Sequence, residues 1–289
     1  MLIPCKKIGE IIESRMIKEV KDLKKQGIHP HLTTILVGSA SEQLSFVAIK
    51  EKKAKKLGIG FNFVHLKHEP LYQEFSRLIH DVANKPETTG MIVQLPLPGQ
   101  LMSDTLFNCI PHLKEIEGHK HKTPFIPPIG LATLSALKYA LLQSTDYDDV
   151  IVSMGDKSFF HKSLKHKKIV LIGRGLTGGK PIAKTLQLME LPFMNIGSST
   201  ARDAADQFIK EADVVITAVG KKILTPENIK PGAILLNVGL RHENGKLKGD
   251  YDEKEVKDVA ASYTETPGGI GPIDVLYLFR NLIDSAKQA

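Results

Sequence analysis

At 289 residues the chain has room for two ordinary domains or one large one, and its 42% hydrophobic and 25% charged residues exclude a disordered tail or a membrane bundle. The net charge of +7 is scattered and not interleaved with aromatics, which argues against nucleic acid and suits small anionic ligands. No run reaches the length of a membrane span, "MLIPCKKIGE" lacks an apolar signal core, and Cys5 and Cys109 form no metal-ligand pair, so a soluble cytoplasmic protein with no membrane partner is expected.

In chain order, a helix around Ile8 to Gln26 leads to the apolar run Leu32 to Gly38 and then to "SFVAIKEKKAKKLG", Ser45 to Gly58. At about 100° per residue, Leu44, Phe46, Val47, Ala48, Ala54 and Leu57 gather on one arc, and Lys52, Lys55 and Lys56 fall on the other side with Lys53 at the edge. Lys50 points between Ala54 and Leu57, into the apolar arc. Either its stem lies along the core edge with the head in water, or the ammonium has a partner and a purpose.

The alternating strand "FNFVHL" follows, then an amphipathic helix from about Leu71 to Ala83, then "GMIVQLPLPGQ". This strand–helix alternation predicts a parallel sheet with covering helices. Gln94 interrupts the apolar strand, so it is satisfied either by backbone at the strand end or by a polar group such as Lys50. The cluster "HKHK", His119 to Lys122, lacks a completing Cys or carboxylate set, so a solvated loop is expected and no metal.

The Pro-rich passage Thr123 to Gly130 reads as a domain junction, and a helix spans about Leu131 to Leu142. The polar stretch from Gln143 to His166 is long for a connection and has no assigned structure. A second α/β series then opens with "KIVLIGRGLTGGKPIA", where Gly173, Gly175 and Gly178 spell G-x-G-x-x-G between a strand and a helix. Either this is a bare tight turn, or its backbone approaches a pyrophosphate at a helix N-terminus. The second strand, "PFMNIG", ends in "GSST" without the acid that holds an NAD ribose. Arg174 and Ser198 suit a 2′-phosphate instead, which favours NADP over NAD. "DVVITAVG" and "AILLNVG" continue the series, and "TPGGIGP" turns into a last helix.

With Lys50, "VQLPLP", the glycine loop and "TPGGIGP" in this order, nearly the whole chain resembles the methylenetetrahydrofolate dehydrogenase/cyclohydrolase family. The resemblance implies an α/β protein of two domains: a folate-binding catalytic domain at 1–125 plus 268–289, and a Rossmann-type NADP-binding domain at 126–267, with the C-terminal helix returning to the first. It implies Lys50 and Gln94 as catalytic residues. The folate contacts would come from Phe46, Val93, Gln94, Leu95, Glu117, Gly268, Gly269, Gly271 and Pro272. NADP would be held by Gly173, Arg174, Gly175, Gly178, Ser198 and Leu240, and the chain would pair as a homodimer through the dinucleotide domain. Several positions depart from the family pattern. Phe46 replaces its tyrosine, Glu117 in "KEIEG" replaces its pterin-binding aspartate, Gly175 its loop serine and Asn237 the aspartate of "DVG". Ile126-Pro127-Pro128 stands where Cys-Thr-Pro is common. These departures imply a hydrolytic step weaker than the dehydrogenase step; a relative with little turnover, or an unrelated dinucleotide-dependent oxidoreductase, are the competing readings.

Overall fold

The computed structural model describes residues 1–103, 105–120, 122–143 and 147–288, so His121 and residues 144–146 of the expected loops lie outside the described residues. The chain divides into two compact units, Glu13–Pro128 with Val275–Ala289, and Met1–Ile12 with Ile129–Asp274.

In the first unit, β1 (His31–Val37) lies between β2 (Gly60–Leu66) and β3 (Gly90–Val93), all parallel, with Ile35 opposite both Val64 and Val93. A central strand buried on both faces is mostly apolar; Leu32 to Val37 are all buried, the two threonines Thr33 and Thr34 included, with Thr33 Oγ1 3.1 Å from Thr88 Oγ1. Helix α1 (Cys5–Lys25) contributes its residues from Glu13 onward, followed by α2 (Ser41–Leu57) and α3 (Tyr72–Ala83). Helix α2 stops at Gly58, whose φ of 74° lets its own N–H reach Lys55 O while Ile59 N–H returns to Ala54 O. The core joins Ile35, Phe75, Ile79, Met91, Val93 and Phe107.

The last helix, α9 (Ile270–Ala286), gives this unit its residues from Val275 on. Asn281 Nδ2 donates to the carbonyls of Ile116 and Ile126, and Ser285 Oγ stands 2.7 Å from those of Thr89 and Leu113. Its approach to β3 is close enough that a Cβ at Gly90 would sit 2.6 Å from Leu282 Cδ1.

The second unit carries a five-stranded parallel sheet in the order β5 (Met194–Ile196), β4 (Ile169–Ile172), β6 (Val214–Thr217), β7 (Ile234–Asn237), β10 (Ser262–Tyr263). Helices α4 (Pro128–Leu142), α6 (Gly179–Leu188), α7 (Arg202–Glu211) and α8 (Glu253–Val256) complete it. Two elements were not expected from the sequence. Within the polar stretch, α5 (Lys157–Leu164) is anchored by buried Phe160 and Leu164. After β7 comes a hairpin of β8 (Arg241–Glu243) and β9 (Lys246–Lys248), turning on Asn244 and Gly245 at φ 52° and 71°.

Residues 1–12, 126–128 and 268–274 fall in the unit opposite to that expected from the sequence. For the N-terminus the cause is strand addition: Leu2 bridges Tyr263 in parallel, and Ile3 N–H donates to Tyr263 O. No helix among the described residues is long and apolar enough to cross a membrane.

Candidate functional site

The buried stripe of α2 runs Gln43, Val47, Ala54 and Leu57, and Lys50 occupies the step between Val47 and Ala54. Ala48, expected on that arc, is exposed, and Gln43 takes its place, donating from Nε2 to Pro96 O at 2.5 Å. Lys50 is half-buried and its Nζ donates to Gln94 Oε1 at 2.8 Å. Of the remaining lysines, Lys52 and Lys55 are exposed. Lys53 and Lys56 are not merely solvent dressing, since their Nζ atoms stand 2.6 and 2.5 Å from the carboxylate of Glu13, 6% exposed. Burial alone would push the Glu13 carboxyl up, but the two lysines outweigh it and hold the group below the usual carboxylate range.

Gln94 directly follows β3, so side-chain alternation sends its neighbours Val93 and Leu95 into the core cluster and its own amide toward α2. The amide is held at both ends: Oε1 accepts from Lys50 and Nε2 donates to Leu95 O at 2.9 Å. Leu95–Pro96 is a cis peptide. Because Val93 and Leu95 are 1% and 8% exposed, any ligand contact they make comes mainly from their main chain. Phe46, half-buried, lies four residues before Lys50 and so on the same side of α2.

The segment 114–120 follows α9's contacts along β3, with Glu115 bridging Met91. Glu115 is 1% exposed; its carboxylate accepts from the N–H groups of Glu117 and Lys120 at 3.0 and 3.2 Å. Burial pushes its carboxyl up, against the opposing pull of His119 and the Lys120 N–H. The second acid, Glu117, points elsewhere, with Oε2 3.5 Å from His119 Nε2. Among the described residues no group of three or more His, Cys, Asp or Glu side chains gathers as a metal site.

In the other unit the sheet order reverses between β4 and β6, and the crevice beyond the carboxyl ends of such strands is where α/β sheets bind nucleotides. The turn from β4 to α6 occupies that place. Gly173 sits at φ 119°, where a Cβ would lie 2.5 Å from Ala218 O, and a Cβ on Gly179 would lie 2.3 Å from Gly173 O. Gly178 caps α6, with 3.2 Å between its hypothetical Cβ and that of Ala218, whereas Gly175 has open space. The sequence reading gave Gly175 and Gly178 a role and omitted Gly179; the close approach belongs to Gly173 and Gly179, the latter being the second of the "GG" pair. The cradle these glycines leave, at the positive end of a ten-residue helix, fits a dinucleotide pyrophosphate. Arg174 reaches past the end of β5, donating from Nη1 to Ser199 Oγ and from Nη2 to Asn195 O, each at 2.9 Å. The hydroxyl on Arg174 is therefore that of Ser199, next to the expected Ser198, which is exposed. Leu240, 44% exposed, follows β7, and its carbonyl backs Gly220 closely enough that a Cβ there would meet it at 2.8 Å.

Asn237 ends β7 at 3% exposure with its amide fully used: Oδ1 accepts from Thr217 Oγ1 and Asp250 N–H, and Nδ2 donates to Gly239 O and Thr266 Oγ1. Asp250 in turn accepts from the N–H groups of Val219 and Lys221, fixing the loop after β6. The expected folate turn is also in this unit. Gly268 sits at φ 98°, a Cβ on Gly269 would be 2.3 Å from Glu265 O, and Gly271 and Pro272 are exposed on the first turn of α9.

Residues 3–117 match the family described as "Tetrahydrofolate dehydrogenase/cyclohydrolase, catalytic domain", and residues 150–289 its "NAD(P)-binding domain". The chain is 31% identical to the "Bifunctional protein FolD" of Staphylococcus carnosus over 99% of this chain and 97% of that one. A solved FolD methylenetetrahydrofolate dehydrogenase/cyclohydrolase from Campylobacter jejuni superposes with a TM-score of 0.79 at 27% identity, covering 100% of this chain and 99% of that one. The Trypanosoma brucei methylenetetrahydrofolate dehydrogenase-cyclohydrolase, solved with NADP and an inhibitor, shares the fold at a TM-score of 0.78 and 23% identity, covering 100% and 97% of the two chains.

Proposed function

The chain belongs to the tetrahydrofolate dehydrogenase/cyclohydrolase family, and on that premise we propose that Lys50, steadied by Gln94, is the proton carrier of its hydrolytic step. The protein is an enzyme of one-carbon metabolism. It oxidises methylenetetrahydrofolate to methenyltetrahydrofolate and hydrolyses that product to formyltetrahydrofolate. Membership over both domains sets aside an unrelated oxidoreductase.

NADP, when bound, accepts the hydride that leaves the bridging methylene carbon. The turn at Gly173, Gly178 and Gly179 would hold its pyrophosphate, Arg174 with Ser199 or Ser198 its 2′-phosphate, and Leu240 would lie by the nicotinamide end. The T. brucei relative's bound NADP supports this choice. The first reaction asks the folate-binding residues for alignment rather than proton transfer. Glu117 accepts from the pterin N–H groups, Phe46 stacks on the aminobenzoyl ring, and the main chain of Val93 and Leu95 completes the contacts that this unit offers.

The second reaction needs a proton carrier. Water adds to the methenyl carbon and loses a proton. The hydroxyl so formed then gives up its second proton to become the formyl oxygen as the ring C–N bond breaks and the released nitrogen gains a proton, so that one proton is released overall. Lys50 takes the first proton and returns one, while Gln94 Oε1 fixes the direction of its head. Phe46 has no hydroxyl to orient that head, so hydrolysis is the weaker of the two activities.

The observation that carries this reading is the 2.8 Å bond between Lys50 Nζ, on the buried side of α2, and Gln94 Oε1. In Lys50→Met, assayed with both folates, cyclohydrolase should fall by about 10²–10⁴-fold while tetrahydrofolate still binds. Equal loss of both activities would remove Lys50 from this role. The compartment is the cytoplasm, supported by the two free cysteines, of which Cys5 is buried with its thiol pushed up to about 12 by burial. The working form is a homodimer joined through the nucleotide-binding unit, which sedimentation at micromolar concentration tests.

A further inference from the structure

We propose that His119 is a positioning residue for the folate: it fixes the carboxylate of Glu117 before the pterin arrives. The inference rests on the assignment of Glu117 to the pterin and explains how a side chain one methylene longer than aspartate can serve there.

The main chain around Glu117 is set from two sides. Buried Glu115 takes the N–H groups of Glu117 and Lys120, and Lys120 Nζ donates to Ile110 O at 2.8 Å. Gly118 sits at φ 76°, where a Cβ would press on Pro127 N at 2.9 Å, so the chain reverses tightly between Glu117 and His119. None of this restrains the glutamate side chain itself, whose extra torsion makes it harder to order than aspartate.

His119 supplies the restraint. Its ring stacks on Phe107 with centroids 4.4 Å apart and planes 27° from parallel, and Phe107 is itself only 9% exposed. A ring held in this way presents Nε2 at 3.5 Å from Glu117 Oε2, with both side chains mostly shielded, at 18% and 23% exposure. The contact engages Oε2 and does not involve Oε1. Ordering the carboxylate in the free enzyme removes that cost from the binding step. In this arrangement the histidine ring braces the glutamate and does not touch substrate.

The test is a cycle of variants read by calorimetry with tetrahydrofolate and by KM and kcat for methylenetetrahydrofolate. His119→Phe keeps a ring on Phe107 and deletes the nitrogen. It should weaken tetrahydrofolate binding and raise KM about three- to fivefold, the upper range for losing a partly exposed polar contact, with kcat unchanged and the melting temperature preserved. In the Glu117→Asp background, where the shorter carboxylate needs no such hold, His119→Phe should leave binding unaltered. Equal weakening in both backgrounds, or no weakening while Glu117→Gln binds poorly, would overturn the role of His119 alone. If Glu117→Gln binds tetrahydrofolate as the parent does, the assignment of Glu117 falls and this inference with it.

Discussion

At Lys50 the working atoms belong to side chains, with Nζ aimed by a glutamine that α2 and the end of β3 bring within 2.8 Å. At the turn from β4 to α6 they belong to the main chain, and the sequence contributes mostly by leaving Cβ atoms out. The two regions therefore respond to substitution by different rules. In the first, a changed side chain leaves the fold intact and alters the chemistry. In the second, most changes are silent and a few, at positions of close backbone approach, are not tolerated at all. On the proposed site the departures from the family pattern divide accordingly: Phe46 and Glu117 would bear on reaction and affinity, whereas Gly175 has open space and the Asn237 amide is fully bonded.

The largest effect should come from the backbone-built region. In Gly179→Ala the new methyl would lie 2.3 Å from Gly173 O and 2.8 Å from Arg174 N, both main-chain atoms that cannot step aside without opening the turn. We expect NADP affinity, measured by calorimetry, to fall by at least about 100-fold, with a stability loss on the order of 3 kcal/mol. Gly175→Ser is the matched control: it adds a side chain where nothing lies within 4 Å, and NADP affinity should stay within about twofold. Similar losses in the two variants would erase the distinction between the regions.

Asn237→Asp asks whether the nucleotide unit is also sensitive where side chains do the bonding. An oxygen in place of Nδ2 would face the carbonyl of Gly239, which only accepts, and would add a carboxylate beside Asp250, whose own carboxyl burial already pushes up. The cost should be about 2 kcal/mol at neutral pH. The new carboxyl would carry a raised pKa in the folded state. The folded form then binds more protons than the unfolded one between the two pKa values, so stability falls as pH rises through that window. Urea unfolding at pH 7.5 and 5.5 should therefore show a smaller penalty at the lower pH, where a protonated acid can donate to Gly239 O.

The same contrast explains what could be read from sequence. Periodicity shows local facts, so the apolar strands, the inward direction of Lys50 and the glycine turn were all legible. The hairpin at Asn244-Gly245 went unread although that pair favours positive φ in a two-residue turn, because it sits among charged residues that mask the strands. Helix α5 offers only Phe160 and Leu164 as buried anchors, too few to stand out in a lysine-rich stretch. What no local pattern carries is partnership at a distance. Glu13 holding Lys53 and Lys56, or Leu2 pairing with Tyr263, depends on the folded topology. The choice between Ser198 and Ser199 turns on one rotation at the end of β5, below the resolution of spacing arguments.

The smallest effect is the most discriminating for the side-chain-built region. Phe46 is four residues before Lys50 on α2, and Phe46→Tyr changes nothing but a hydroxyl at the ring tip. The aromatic face, and with it any stacking on the folate, is kept. If hydride transfer depends on alignment alone, the dehydrogenase rate should remain within about twofold. If Lys50 is the proton carrier proposed above, hydrolysis depends on where its head points, and a second hydrogen bond, joining the one it donates to Gln94, should be worth about 1 kcal/mol, or roughly a fivefold faster cyclohydrolase. The ratio of the two rates, measured on the same preparation, cancels errors in active concentration. A ratio that does not move would mean that Gln94 already orients the lysine fully, and that the loss of the family's tyrosine costs this enzyme nothing.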